Sequence, residues 1–154
     1  MANANDSGQT LVETAISLSI FLLLVLGTID FGYLISTKVT LQNAVRQGGR
    51  YAITGQCITG SGGSCSLTRY NSIMQTVQDA ALGRLNSSQI SITCQDYGGG
   101  CPNGAGGPGD IVTITVTYPY HFMTGLIGAF FPGQSYTITV SSSFKNEIFA
   151  PSES

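Results

Sequence analysis

Charge is scarce in this sequence. Lys and Arg number 6 and Asp and Glu number 8 among 154 residues, 9% in all, against roughly a quarter in an ordinary globular domain. With a net charge of −2 and no basic cluster beyond Lys38, Arg46 and Arg50, the chain lacks the electrostatic footprint of a nucleic-acid binder. Tryptophan is absent, and the single histidine, His121, sits in an aromatic run with no acid nearby, which leaves nothing from which to build a Ser-His-Asp or Cys-His arrangement. The acids Asp79, Asp96, Asp110 and Glu147 are scattered, without the pairing that general acid and base chemistry needs. Gly98 to Gly100 and Gly104 to Gly109 do not follow a strand and open a helix, as a phosphate-binding loop does. There is no haem motif. The expectation is a protein that is not an enzyme and uses no cofactor or metal. A surface this poor in charge suits a subunit that buries much of itself against copies.

What the sequence does have is a long apolar run. Between Gly8 and Asp30 the one charged residue is Glu13, and roughly 20 apolar residues suffice to cross the hydrocarbon core of a bilayer as one helix. A carboxylate inside such a span is costly to bury, so Glu13 marks a functional site whose partner is to be found. No proline falls between Thr10 and Ile53, and Gly27, Gly32 and the Gly48-Gly49 pair are tolerable within a helix. The helix is therefore expected to continue to about Ile53, a length of roughly 65 Å. Past Asp30 its character changes: Leu34, Leu41, Val45 and Ala52 recur at helical spacing, with Lys38, Gln42, Arg46 and Arg50 mostly on other faces. The first half is built for lipid or packed helices and the second for the back of a folded domain. Asp30 reads either as an acceptor at an interface between packed helices or as the first polar residue at the membrane surface, and Ser36, Thr37 and Lys38 close behind it favour the surface.

The four cysteines fall as Cys57 and Cys65, then Cys94 and Cys101. These gaps are wider than zinc pairs prefer. Two local disulfides in an oxidising compartment outside the cytoplasm are favoured over four free thiols, although four cysteines allow three pairings. Thr54 to Leu67 reads as a loop. Tyr70, Ile73, Met74, Val77, Ala80, Ala81 and Leu85 predict an amphipathic helix over 68–85. Alternation predicts strands over 89–94, 110–118 and 136–144, with Val112, Ile114 and Val116 on one face of the second. Such strands suit an antiparallel sheet laid on a helix. The apolar connection 120–131 is expected either as a short helix closing the core or as an exposed patch for a neighbouring subunit.

The polar leader ending in Gly8, followed by Gln9-Thr10-Leu11-Val12-Glu13 and the apolar run, resembles a type IV prepilin. Further on, Ile29-Asp30-Phe31-Gly32, Leu41-Gln42-Asn43-Ala44-Val45-Arg46-Gln47-Gly48-Gly49-Arg50-Tyr51-Ala52 and Phe144-Lys145-Asn146-Glu147 are similar to the signatures of the TadE-like (TadE/TadG) pilin-like family. The resemblance implies cleavage between Gly8 and Gln9 by a prepilin peptidase. Glu13, then the fifth residue, would pair with the freed amino group of a neighbouring subunit. It further implies a leader at 1–8, a transmembrane and assembly helix at 9–53, and an extracytoplasmic α+β domain of type IV pilin-like fold at 54–154: a long N-terminal helix packed on an antiparallel sheet, with one additional short helix. The implied partners are copies of itself or other pilins and the pilus assembly machinery. The implied location is the inner membrane before assembly and a surface filament after it. The leader carries no Lys or Arg, so charge alone would place the far end of the helix in the cytoplasm, whereas the motifs and cysteines place it outside. A minor pseudopilin that primes or regulates a Tad apparatus, and a signal-anchored binding domain, are the competing expectations.

Overall fold

A computed structural model describes residues 4–58, 68–97, 101, 104–129 and 131–148, with the backbone alone at 4–7 and 126. The elements run α1 (Ala4–Ile53), α2 (Arg69–Ala80), β1 (Ile90–Gln95), β2 (Ile111–His121), α3 (Gly125–Gly128) and β3 (Ser135–Lys145). The long N-terminal helix, a further helix and a three-stranded antiparallel sheet in the order β1-β2-β3 make the α+β, pilin-like arrangement expected from the sequence. The described residues divide into two compact units: those up to Ser36 together with Tyr120–Tyr136, and Thr37–Pro119 together with the residues from Thr137 on.

The second unit holds a conventional core. Alternation places Val112, Ile114 and Val116 inward on β2, all 0% exposed, and the antiparallel register sets them opposite Cys94, Ile92 and Ile90 of β1. Outward, the hydroxyls of Thr113 and Ser143 meet at 2.8 Å. Leu41, Ala44, Val45 and Ala52 of α1 and Ile73 and Val77 of α2 are buried in the same unit. The glycine pair of α1 lets these layers close. A Cβ on Gly48 would strike Cγ2 of Val77, and one on Gly49 would strike the ring of Phe144. Glycine here serves close approach, at a helix-propensity cost of about 1 kcal/mol each.

Helix α2 is shorter than the expected span of 68–85. Thr68 caps its start, its side chain accepting from the Asn71 N–H. At the other end the N–H groups of Gly83 and Leu82 turn back to the carbonyls of Gln78 (3.1 Å) and Asp79 (3.0 Å), the paired bonds of a Schellman ending. Leu82 takes the left-handed position with φ 58°, although a side chain there costs about 1–2 kcal/mol. Because Leu82 is 76% exposed, it returns little packing for that strain. Leu82→Gly should therefore stabilise the domain by about 1 kcal/mol, raising Tm by about 4 °C. An unchanged or lower Tm in thermal unfolding would count against the strain.

In the first unit the β2–β3 connection forms α3 and a 3-10 turn, Pro132–Gln134. Of the two readings of 120–131, the short helix is present, and Met123 beside it is 69% exposed.

Candidate functional site

The apolar half of α1 is its most unusual surface. Leu11, Ile16, Phe21 and Leu24 are 57–71% exposed, and the helix is long and apolar enough to cross a membrane. Three of its hydroxyl groups are satisfied within the helix itself: Thr14 donates to the Thr10 carbonyl (2.8 Å), Ser19 to Ala15 (2.8 Å) and Thr28 to Leu24 (2.9 Å). Such back-bonding lets Ser and Thr sit in a lipid-like environment without an unmet polar group. Glu13 is exposed on this run. Gly8 and Gln9 are also exposed, and both lie inside α1, which begins at Ala4 rather than at Gln9, where the helix was expected to start.

At the far end of the run Asp30 is fully buried. Its carboxylate accepts the N–H of Met123 (3.1 Å), the N–H of Thr124 (3.2 Å) and the Thr124 hydroxyl. Its backbone carbonyl accepts from the Tyr120 hydroxyl at 3.3 Å. The sequence offered Asp30 a place at a helix interface or at the membrane surface; the structure engages it within its own chain, fastening the 120–124 segment to α1. His121 lies exposed at the end of β2.

The geometry of α1 is thus an exposed apolar run carrying one acid, continued by a stretch packed into a domain. Residues 8–50 match the family model for TadE-like proteins. The division of α1 gives that TadE-like segment physical meaning. Its first part is apolar and unpacked. Its signature part supplies buried Leu41, Ala44 and Val45, the close-packed Gly48 and Gly49, and, just beyond the match, Ala52. No curated protein and no solved structure matches the chain. The TadE-like match and the apolar helix are consistent with a pilin-like Tad component.

A second polar cluster, which the sequence reading did not assemble, secures the domain behind the TadE-like segment. Arg69, buried at the start of α2, donates to the carbonyls of Ala52 (2.5 Å) and Gly106. Burial lowers its pKa from the ordinary value, and the charge of Asp110 opposes that shift. Asp110, fully buried, accepts from the N–H groups of Tyr97 (2.8 Å) and Gly107 (2.7 Å). Asn146 completes the cluster: its side chain donates to Gly107 (2.9 Å) and its N–H to the Asp110 carbonyl (2.8 Å). Next to it, the Glu147 N–H reaches the Ile53 carbonyl at 3.1 Å. Asp110 reads in the sequence as one of several scattered acids; the signal that could have found this site is the Phe144-Lys145-Asn146-Glu147 motif.

Cys94 and Cys101 form the expected disulfide, with Cα atoms 5.9 Å apart. Sγ of Cys94 lies 3.8 Å from the Asp110 carboxylate, but a disulfide sulfur has no proton to donate and is a poor metal ligand, so the two sulfurs and this acid make no metal site in the oxidised protein. Cys57 is also disulfide-bonded, and its expected partner Cys65 lies outside the described residues.

Proposed function

We propose that the chain is a structural, pilin-like subunit that anchors in the membrane through the apolar half of α1 and then assembles through that helix into an extracellular Tad-type filament. The observation that carries this reading is the exposed apolar run from Leu11 to Val25, with Ile29 and Phe31 beyond it. Each Leu or Phe left in water forgoes about 1.5–3 kcal/mol, so the run calls for lipid or for other helices, and a filament core supplies the second when subunits leave the first. Association between such helices rests on packing and polar contacts more than on a new hydrophobic gain, because lipid is as apolar as leucine. Glu13 is the polar contact. Once a prepilin peptidase has cut between Gly8 and Gln9, the new ammonium group of one subunit meets the Glu13 carboxylate of another, and each makes the burial of the other affordable. The Gly8–Gln9 bond is helical, so the first turns of α1 open for the cut.

Intact mass of protein sheared from cell surfaces tests the reading. The expected species begins at Gln9, carries its disulfides and runs in a high-molecular-weight fraction. Glu13→Ala should leave cleavage intact and reduce the sheared fraction by about a hundredfold, the factor corresponding to about 3 kcal/mol lost when one partner of a buried pair is removed. A full-length chain confined to membranes, or normal shedding of Glu13→Ala, would contradict the assembly mechanism.

A further inference from the structure

We infer that residues 120–136 form an interfacial foot that dips into the outer headgroup and upper acyl region of the bilayer beside α1, so that the membrane-contacting part of this protein is two separate stretches of sequence. The inference rests on the reading that α1 spans the membrane, and it adds a lipid-binding surface to it.

Depth is the first argument. A span of about 20 residues starting at Thr10 exhausts the hydrocarbon thickness near Ile29, which puts Asp30 at the boundary. Asp30 holds the N–H groups of Met123 and Thr124 directly, so those residues lie at the same level. From there α3 turns back along the span: Cδ1 of Ile127 lies 3.6 Å from where a Cβ on Gly27 would be. Gly27 is three residues before Asp30, or about 4.5 Å deeper at 1.5 Å per residue. Ile127 therefore reaches below the boundary. An apolar groove lined by Leu23, Gly27, Phe31, Gly32, Ile35 and Ile127 crosses that level.

The second argument is the backbone. A surface loop leaves its N–H groups to water, whereas one at a lipid boundary needs internal acceptors. Here Met123 and Thr124 donate to Asp30, Gly128 to Thr124 (3.3 Å), Ala129 to Gly125 (3.1 Å), Phe131 to Gly128 (3.0 Å) and Gln134 to Phe131 (3.0 Å). The buried carboxylate of Asp30 is what permits a loop to turn at this depth.

The third argument is composition. Tyr33, Tyr120, Phe122, Phe131 and Tyr136 form a continuous chain of ring contacts with centroids 4.8–6.3 Å apart. Tyr33 and Tyr136 keep 42% and 46% of their surface open, and Met123 keeps 69%. Tyrosines massed at the end of a span form the aromatic belt that settles at headgroup level, apolar ring inward and hydroxyl to water.

Because the chain has no tryptophan, introduced tryptophans report cleanly. The full-length protein is reconstituted in phosphatidylcholine vesicles whose lipids carry bromine either near the carbonyl end or near the methyl end of the acyl chain. Met123→Trp and, as an aromatic-for-aromatic second reporter, Tyr136→Trp should lose most of their emission to carbonyl-end bromine. Leu18→Trp, in mid-span, should lose it to methyl-end bromine, and each emission is read against the same variant in vesicles without bromine. If Leu18→Trp is quenched while positions 123 and 136 stay as bright as in vesicles without bromine, the foot does not touch lipid and the inference fails with the span intact. If Leu18→Trp is bright in both vesicles, the spanning helix itself is wrong and the inference falls with it.

Discussion

Asp110→Ala should lower the free energy of unfolding by about 3–5 kcal/mol, the usual loss when one member of a buried charged cluster is removed. The substitution takes away the acceptor of the Tyr97 and Gly107 N–H groups and leaves Arg69 buried without the charge that opposes its desolvation. Two chain segments lose their common anchor, the loop pinned by Cys94–Cys101 and the start of α2, whereas the Asn146 N–H keeps the Asp110 backbone carbonyl. Asp110→Asn keeps the shape and one acceptor but not the charge, and should fall between the two. Urea unfolding in detergent, with the disulfides intact, reads the difference as a drop in midpoint at unchanged slope. A midpoint for Asp110→Ala within error of the parent would mean that the cluster is filled by water at no loss and does not hold the domain.

Gly49→Ala should destabilise by about 2 kcal/mol, against the gain of about 1 kcal/mol that alanine brings to an ordinary helix position. The new methyl group would fall within the ring of Phe144, and that ring is held on β3, so either the strand or the helix shifts. Gly32 supplies the contrast: nothing stands within 4 Å of the Cβ it would acquire, so Gly32→Ala should give the ordinary gain in the same helix. Adding Phe144→Leu to Gly49→Ala should recover part of the loss, a coupling that a double-mutant cycle measures. Equal effects at Gly49 and Gly32 would show that the two layers are not in close contact at Gly49.

Local signals in the sequence carried most of the architecture. The absence of proline and the sustained apolar run fixed α1 through Ile53, and the alternation of Val112, Ile114 and Val116 identified the buried face of β2. The spacing of Cys94 and Cys101 pointed to their pairing. Where reasoning from neighbours fell short, the cause is tertiary. Leu82 is a good helix former, so α2 was expected to run past it, but the chain turns left-handed there and the helix stops at Ala80. The place of Asp30 at the end of the apolar run was legible but its role as an anchor was not, because its partners, Met123 and Thr124, are more than 90 residues away and offer backbone N–H groups, which no side-chain pattern announces. Arg69, Asp110 and Asn146 were invisible as a set for the same reason: their partners are mainly carbonyls and amides. Glu13 stood out from sequence alone because its meaning depends on the apolar run around it.

The clasp formed by Asn146 and Glu147 also bears on how the protein is made. Ile53 and Asp110 are synthesised long before the residues that donate to their carbonyls. The apolar half of α1 is therefore complete while the domain that follows is still open, and among the described residues β3 is the last element to be delivered to both units. A nascent chain halted before Asn146 has its anchor but not its clasp. On the proposed reading the anchor is free to insert before the fold closes, and a chain still lacking the clasp leaves the Ile53 and Asp110 carbonyls without the donors that Glu147 and Asn146 bring.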